Sequence, residues 1–208
     1  MNEQPGLRQR KKQRTRETIA LAAHELFAER GYHATTLPDI AEAADVSTRT
    51  IFAYFPSKED ILFSDFPLMK DALAQALANR PEGEEALETV REFIVSSHNM
   101  KKSELEDQLS RCVENDETLR SHLRARLTQL EDLIAAAIAK DIGASKNDLR
   151  PHVVAASLTA AFMALTERSG SSSKPKSAAD MAARIDPVIT FLRGGLDAIK
   201  EPQKTRRR

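Results

Sequence analysis

The sequence predicts an all-α protein of about nine helices, and two observations carry this prediction. The apolar residues recur at intervals of three and four, which places them on one face of a helix, and no window of useful length alternates with period two. Tryptophan, alternating β-branched residues and Asn-Gly-type turns, which mark strands and hairpins, are scarce. With 208 residues, the chain can bury a sizeable core without disulfide bonds or a structural metal.

The composition points to a cytoplasmic protein. Cys112 is the single cysteine, so no intrachain disulfide can form, as is usual in a reducing compartment. Residues 1–16 are polar and basic and do not resemble a signal peptide. The longest apolar stretches fall well short of the roughly 20 residues that a membrane span requires. We therefore expect a cytoplasmic chain with no membrane partner.

The net charge is zero, but the charges are unevenly distributed. Residues 1–16 carry six basic side chains against one acidic one, whereas residues 82–92 carry five glutamates against Arg91. The six basic residues are Arg8, Arg10, Lys11, Lys12, Arg14 and Arg16. A basic end on a neutral molecule suggests a local anionic partner, although a solubilising tail would have the same composition.

The first helix is predicted from about Arg14 to Arg30, after a basic arm at residues 1–11. Its apolar face consists of Ile19, Ala23, Leu26 and Phe27. Gly31 is expected to end this helix as a C-terminal cap.

Residues 35–55 contain an unusually dense set of helix signals. Thr36 can cap a helix whose third residue is Asp39, an arrangement typical of a capping box. Pro38 is tolerated because it falls in the first turn. The inner face of this helix consists of Ile40, Ala41 and Ala44.

A tight turn and a second helix follow. Asp45 interrupts the first of the two helices, because aspartate accepts the left-handed backbone conformation that a tight turn needs. Ser47 caps a helix from Thr48 to about Phe55, in which Ile51 points inward. About three residues join the two helices, which is the spacing of a helix-turn-helix.

The second helix directs short, polar or hydrogen-bonding side chains outward, unlike the Glu/Lys mixture of an ordinary solvated face. These residues are Thr48, Arg49, Thr50, Ala53 and Tyr54. In the major groove, Arg49 can bind guanine bidentately and the threonine methyl groups suit thymine. Tyr54, Lys58 and the amides near Thr35 and Thr36 can bind phosphates.

The arm from Arg8 to Arg16, which includes Arg14, is expected to reach the DNA backbone or the minor groove. It would make binding strongly salt-dependent. A plain helical hairpin that packs against its neighbours is the alternative explanation of the same spacing.

The rest of the chain is predicted to be helical as well. Pro56 stops the second helix, and Ser57 with Asp60 forms another capping box for the next. Pro67 lies inside that long helix, so a kink or break is expected near Phe66. Further helices are predicted at about 84–100, 103–113, 116–141, 146–169 and 178–200, with a linker at 169–177.

The segment from Arg14 to Leu62 resembles the signature of the TetR family of bacterial transcriptional regulators. The matches are Leu26-Phe27, Gly31-Tyr32, Thr35-Thr36, Ile40-Ala41, Ala44, Val46-Ser47, Thr50, Phe52, Tyr54-Phe55, Ser57-Lys58 and Leu62. The resemblance covers about residues 12–66 and is highly specific there. Asp45 replaces the common turn glycine, and Phe52 stands where tyrosine is frequent, which removes one hydroxyl that could contact phosphate.

The resemblance implies a homodimer that binds double-stranded DNA at an inverted-repeat operator, with half-sites about 34–36 Å apart. It implies repression that a small hydrophobic effector relieves, in a cytoplasmic protein that is associated with the nucleoid when bound to DNA. The implied DNA-binding residues are Arg14, Thr35, Thr36, Ser47, Thr48, Arg49, Thr50, Phe52, Ala53, Tyr54 and Lys58. The implied domains are a basic arm at 1–11, a three-helix DNA-binding domain at 12–66, a ligand-binding and dimerisation domain at 67–200 and a basic tail at 201–208.

The body also yields a predicted dimer interface and a predicted pocket. Family members dimerise through their last two helices, which implies an interface formed by Leu158, Phe162, Ile185, Val188, Ile189, Leu192 and Leu196. Small residues on the helix at 146–169 permit close helix approach, although both helices could instead complete a monomer core. The predicted pocket lining is Phe93, Met100, Leu105, Leu109, Cys112, Leu127, Leu130, Phe162 and Met163, for each of which ordinary core packing is the alternative.

No motif points to catalysis. The five histidines are scattered without metal-ligand spacing, and HExxH, GxxxxGK, GxGxxG and GxSxG motifs do not occur. We therefore expect no catalytic residues, metal site or cofactor. The alternatives are a helical carrier or enzyme of hydrophobic molecules, and a regulator that activates transcription or acts without a ligand.

Overall fold

The structure, a computed structural model, describes residues 6–97, 104–167, 175 and 177–200. All regular secondary structure in these ranges is helical, which confirms the predicted all-α class. The ten helices of the described ranges are α1 (Leu7–Arg30), α2 (Leu37–Ala43), α3 (Thr48–Tyr54), α4 (Lys58–Leu62), α5 (Phe66–Ala78), α6 (Ala86–Ser97), α7 (Glu104–Glu114), α8 (Glu117–Asp141), α9 (Arg150–Glu167) and α10 (Ala178–Lys200). The count exceeds the predicted nine because the helix expected after Ser57 is broken at residues 63–65, close to the predicted position.

The chain forms two compact units. The first comprises Met1–Phe66 and Lys102–Leu123, and the second comprises Pro67–Lys101 and Arg124–Arg208. In the first unit, Phe27, Ile40 and Ile51 are almost fully buried in one apolar core. Leu119, near the start of α8, is fully buried in the same core, and α7 packs on α1. Nothing in the sequence pattern had indicated that α7 and the first turns of α8 belong with the helix-turn-helix.

The first helix begins earlier than predicted. α1 begins at Leu7 rather than near Arg14, so residues 8–11, predicted as an arm, are helical. Residues 8–16 are rich in arginine, lysine and glutamine, which favour helices, and contain neither glycine nor proline. The predicted end is confirmed, since Gly31 has a φ of 84° and its N–H donates to the carbonyl of Phe27 at 3.0 Å.

The local signals of the helix-turn-helix are confirmed. The hydroxyl of Thr36 accepts a hydrogen bond from the amide of Asp39, and the carboxylate of Asp39 accepts one from the amide of Thr36, which completes the capping box. Asp45 has a φ of 51° and, among the described residues, is the one non-glycine residue with positive φ. Ser47 caps α3 by accepting the N–H of Thr50 at 3.0 Å.

The second unit packs α5, α6, α9, α10 and most of α8 around a second apolar core. Its most deeply buried side chains include Leu73, Leu87, Ile138, Leu158, Met181, Ile185 and Ile189. Ion pairs connect α10 with α6 and with the residue before it: Arg91 Nε lies 2.6 Å from Asp186 Oδ1, and Arg193 pairs with Glu88 in α6 and with Glu85, which precedes α6. The hydrogen bond from Arg91 lowers the pKa of Asp186. Because these groups are partly exposed, each pair contributes on the order of 1 kcal/mol or less.

Two predicted segments fall largely outside the described residues. Of the linker at 169–177, only Pro175 and Ser177 are described, and the tail at 201–208 lies entirely outside. In the described part of the chain, none of the helices combines the length and the apolar character needed to cross a bilayer.

Candidate nucleic-acid interface

The outward face of α3 is accessible. Arg49 and Ala53 are exposed and Phe52 is 55% exposed, whereas Thr48, Thr50 and Tyr54 are half-buried. The opposite face is anchored by Ile51, which is fully buried. The helix therefore rests on the core through Ile51 and, in part, Tyr54, and of the residues predicted to point outward only Arg49 and Ala53 are exposed.

Ser47 and Thr50 are engaged with each other at the start of α3. In addition to the capping bond, the two hydroxyl oxygens lie 2.7 Å apart. Both side chains therefore order the first turn of the helix. Contact with DNA remains a prediction for both, and it would have to use the remaining hydrogen-bonding capacity of each hydroxyl.

The amides at the start of α2 are less available than predicted. Thr35 is 1% exposed, and its hydroxyl donates to the carbonyls of Leu26 and Gly31 at 3.2 and 2.9 Å. The hydroxyl and the amide of Thr36 donate to Asp39 Oδ2 at 2.6 and 2.8 Å, and these two hydrogen bonds lower the pKa of Asp39. The amide of Thr35 donates to the carbonyl of Tyr32 at 3.4 Å, so both amides already have acceptors within the chain, and contact of either with phosphate remains a prediction.

Lys58 is also drawn toward the protein. Its Nζ donates to the carbonyls of Tyr32 and Thr35 at 2.8 and 2.9 Å and lies 4.1 Å from the centroid of the Tyr32 ring. Burial lowers the pKa of Lys58. Two of the three ammonium N–H bonds therefore hold the turn before α2, which leaves one for the phosphate predicted from the sequence.

The same turn is connected to other parts of the first unit. The hydroxyl of Tyr32 donates to Glu59 Oε1 at 2.6 Å. Burial raises the pKa of Glu59, but hydrogen bonds, of which that from Tyr32 is the largest, outweigh it, and the net shift is downward. His33 pairs with Asp116, whose other oxygen accepts the amide of Leu119 at 3.0 Å in α8. The turn is therefore held from α4 and from the start of α8.

A basic surface precedes the helix-turn-helix on α1. Its exposed members are Arg8, Arg10, Lys11, Lys12 and Arg14. Arg16 differs from them, because it is half-buried and its Nη1 donates to the carbonyl of Tyr54 at the end of α3. The basic composition of residues 1–16 did not distinguish Arg16 from its neighbours.

An apolar cavity of about 120 Å³ lies within the second unit. It is lined by Met69, Leu73, Val90, Phe93, Ile94, Ser97, Leu127, Leu130, Ile134, Leu158, Thr159 and Phe162. Four of the predicted residues, Phe93, Leu127, Leu130 and Phe162, are in this lining.

The other predicted pocket residues lie elsewhere. Leu109 and Cys112 pack against the core of the first unit, and Leu105 is on the same helix, α7, within that unit. Met163 is buried without lining the cavity. Met100 lies outside the described residues. Helical spacing places these apolar residues on the buried faces of their helices, but it does not show which of the two cores each residue joins.

The predicted dimer residues mostly face the interior of their own chain, which favours the alternative of a monomer core, and their role in a dimer remains a prediction. The buried members are Leu158, Ile185, Ile189, Leu192 and Leu196. Phe162 lines the cavity, and Val188 is half-buried. The wide apolar stripe that suggested an interface is largely used by the core of the second unit.

Two short capped helices that are joined by a tight turn and packed on one apolar core, with Arg49 exposed in the first turn of the second, have the arrangement of the helix-turn-helix class of DNA-binding proteins. Residues 19–64 match the family described as bacterial regulatory proteins, tetR family, and residues 84–197 match the domain described as MftR C-terminal domain. The chain belongs to the TetR family of bacterial transcriptional regulators.

Individual relatives agree with this assignment. The HTH-type transcriptional regulator TcmR of Streptomyces glaucescens is 35% identical over 161 residues, which cover 73% of this chain and 71% of TcmR. The HTH-type transcriptional repressor KstR2 of Rhodococcus jostii is 32% identical over 145 residues, which cover 65% of this chain and 70% of KstR2. FadR of Thermus thermophilus, a repressor solved with lauroyl-CoA, has the same fold with a TM-score of 0.59 at 24% identity, covering 93% of this chain and 98% of FadR.

Proposed function

We propose that this chain is a homodimeric transcriptional repressor that binds an inverted-repeat operator and is released by a small apolar effector. The accessible face of α3, with Arg49 exposed at its first turn, is the observation that carries the proposal. Arginine in this position suits bidentate contact with guanine in the major groove. Thr48, Thr50 and Tyr54 would add contacts around it, and the basic surface on α1 would add phosphate contacts.

Selection of bound fragments from random double-stranded DNA tests this proposal. We expect enrichment of an inverted repeat whose half-site centres lie one helical turn, or a multiple of it, apart, because each protomer of a two-fold dimer presents one α3. Recovery of unrelated fragments, or of a single half-site with no symmetry, would contradict it. The selected sequence then serves as the operator in every binding measurement.

A different surface of α9 and α10 suits the dimer interface. On α9, Val153 is 61% exposed, and Ala156, Ala160 and Ala164 are exposed at helical spacing on the same side. On α10, one face has Pro187, Phe191, Gly194, Gly195 and Ala198 exposed, and Phe191 is 79% exposed. Small residues permit close approach of a second copy, and a large exposed aromatic residue among them suits an interface.

The cavity suits an uncharged effector. None of the lining side chains is ionisable, and the two hydroxyls, those of Ser97 and Thr159, donate to the carbonyls of Phe93 and Ala155 on their own helices. A cavity of roughly 150 Å³ with a comparable apolar lining accommodates benzene in another protein. The enclosed part of the effector is therefore expected to be about the size of one ring.

Replacement of Val90 by phenylalanine is expected to fill the cavity and to weaken binding of a small apolar probe at least about tenfold, because Val90 is 3% exposed and lines it. The measurement is a titration with fluorobenzene followed by ¹⁹F NMR. Leu68→Phe, at an exposed position of α5, is the control and should bind the probe as the unmodified protein does. Equal binding by both variants would place the probe elsewhere.

We further propose that the protein acts in the cytoplasm, on the nucleoid when bound to DNA, and is not an enzyme. Support comes from the family assignment and from the absence of catalytic motifs in the sequence. Mass analysis after incubation with a metabolite extract tests the last point, since a consumed compound would favour the alternative of an enzyme of hydrophobic molecules.

A further inference from the structure

A single arginine of α1 holds the end of the helix that would contact the bases. Arg16 Nη1 donates to the carbonyl oxygen of Tyr54 at 3.0 Å. Its Cζ lies 4.3 Å from the centroid of the Phe55 ring, which is 1% exposed. Tyr54 is the last residue of α3 and Phe55 is its C-cap, so the guanidinium binds this terminus both by a hydrogen bond and by stacking.

The end of α3 needs such a partner. The last carbonyls of a helix have no donor within the helix, and Pro56 cannot supply an N–H. α3 has only seven residues, so it depends on tertiary contacts for its stability. A hydrogen bond from a cation is roughly twice as strong as a neutral one, and a positive charge at a helix C-terminus is favourable.

Arg16 therefore differs from its neighbours on the same helix. Arg14, two residues away, is exposed and its charge faces solvent. Arg16, by contrast, is half-buried, and its guanidinium is hydrogen-bonded to the end of α3. We propose that Arg16 is a positioning residue for operator recognition, which sets the orientation of α3 without itself binding a phosphate, whereas Arg14 contributes only charge. This inference rests on the proposed operator binding.

Salt dependence separates these two roles. Each phosphate contact contributes about 0.9 to the slope of log affinity against log salt on duplex DNA, and it does so on any sequence. A residue that positions α3 changes the affinity for the operator but leaves that slope, and the affinity for unrelated DNA, largely unchanged.

The experiment compares Arg16→Gln with Arg14→Gln on the selected operator and on an unrelated duplex of equal length, over a series of salt concentrations. For Arg16→Gln we expect at least about tenfold weaker operator binding, with the slope and the affinity for unrelated DNA unchanged. For Arg14→Gln we expect equal losses on both duplexes and a slope smaller by about 0.9. A reduced slope for Arg16→Gln, or unchanged operator affinity, would overturn the proposal.

Two further measurements keep the outcome decisive. Arg16→Lys retains the charge but lacks the planar group that stacks on Phe55, so it should recover operator affinity only in part, whereas full recovery would indicate a purely electrostatic role and overturn the proposal.

Circular dichroism first defines a temperature at which each variant is folded. Arg16→Gln could lower the melting temperature and still keep, at the temperature where it is folded, the ratio of its affinities for the operator and for the unrelated duplex. That result would show that Arg16 is merely structural, and it would overturn the proposal. Failure of the unmodified protein to select an operator would count against the proposed function instead.

Discussion

Arg49→Ala is expected to lower the affinity for the selected operator roughly ten- to a hundredfold, which corresponds to the loss of one bidentate contact with a base. Arg49 is exposed in the first turn of α3, and its side chain makes no hydrogen bond or ion pair with the part of the chain that the structure describes. Removal of its side chain therefore leaves the core around Ile51 intact. The melting temperature should change little, since exposed substitutions usually alter stability by less than about 0.5 kcal/mol.

Fluorescence anisotropy with the labelled operator measures this loss. Arg111→Ala removes the same charge from an exposed position on α7 and serves as the control for net charge. The sharper readout is specificity, because a lost base contact should make the protein indifferent to substitution of one base pair in each half-site while other positions keep their effect. If Arg49→Ala and Arg111→Ala behave alike, or if the preference at every base pair is retained, α3 does not contact bases through Arg49.

The features that the sequence predicted best are those set by neighbours in the chain. The capping box of Thr36 and Asp39, the positive φ of Asp45 and the Ser47 cap each involve groups at most three residues apart. Local hydrogen bonds of this kind depend on side-chain type and spacing, so a pattern identifies them directly. The same reasoning located the break before α5, where Pro67 prevents a continuous helix.

The features that the sequence did not predict depend on contacts between distant residues. Lys58 bonds the carbonyl of Tyr32, 26 positions earlier, and Arg16 bonds that of Tyr54, 38 positions later. An exposed lysine or arginine next to a helix-turn-helix suggests a phosphate contact, and only the fold shows that an internal carbonyl competes for it. The same limit explains Cys112, which is apolar enough for a pocket but packs against the core of the first unit.

The proposed dimer interface illustrates a second limit of sequence patterns. Apolar periodicity finds the face of a helix that leaves water, but both a core and a partner provide such a face. On α10, Ile185 and Ile189 fill the core, and the residues left outside are mostly small, so their pattern is weak. Phe191 is the exception, because it is 79% exposed and the exposed residues beside it, Pro187, Gly194, Gly195 and Ala198, are glycine, alanine and proline.

Phe191→Glu is therefore expected to convert the dimer into a monomer. Burial of a phenylalanine contributes about 1.5–3 kcal/mol, and a two-fold interface loses it twice, so the dimer should dissociate roughly a hundredfold or more readily. A buried glutamate without a partner adds a further penalty. Multi-angle light scattering at micromolar concentration should show the mass fall from twice 23.1 kDa to 23.1 kDa.

Operator binding should weaken together with dimerisation, because two linked heads bind two half-sites far more tightly than one head binds either. Leu68→Glu is the matched control: it places the same charge at an apolar residue that is 64% exposed on α5, and it should leave both the mass and the operator affinity unchanged. Since Phe191 contacts mostly solvent within its own chain, the folded monomer should persist, and an unchanged circular dichroism spectrum would show that it does. If the Phe191→Glu protein remains dimeric, this face of α10 is not the interface. If the protein becomes monomeric but binds the operator with unchanged affinity, the two heads do not act together on DNA.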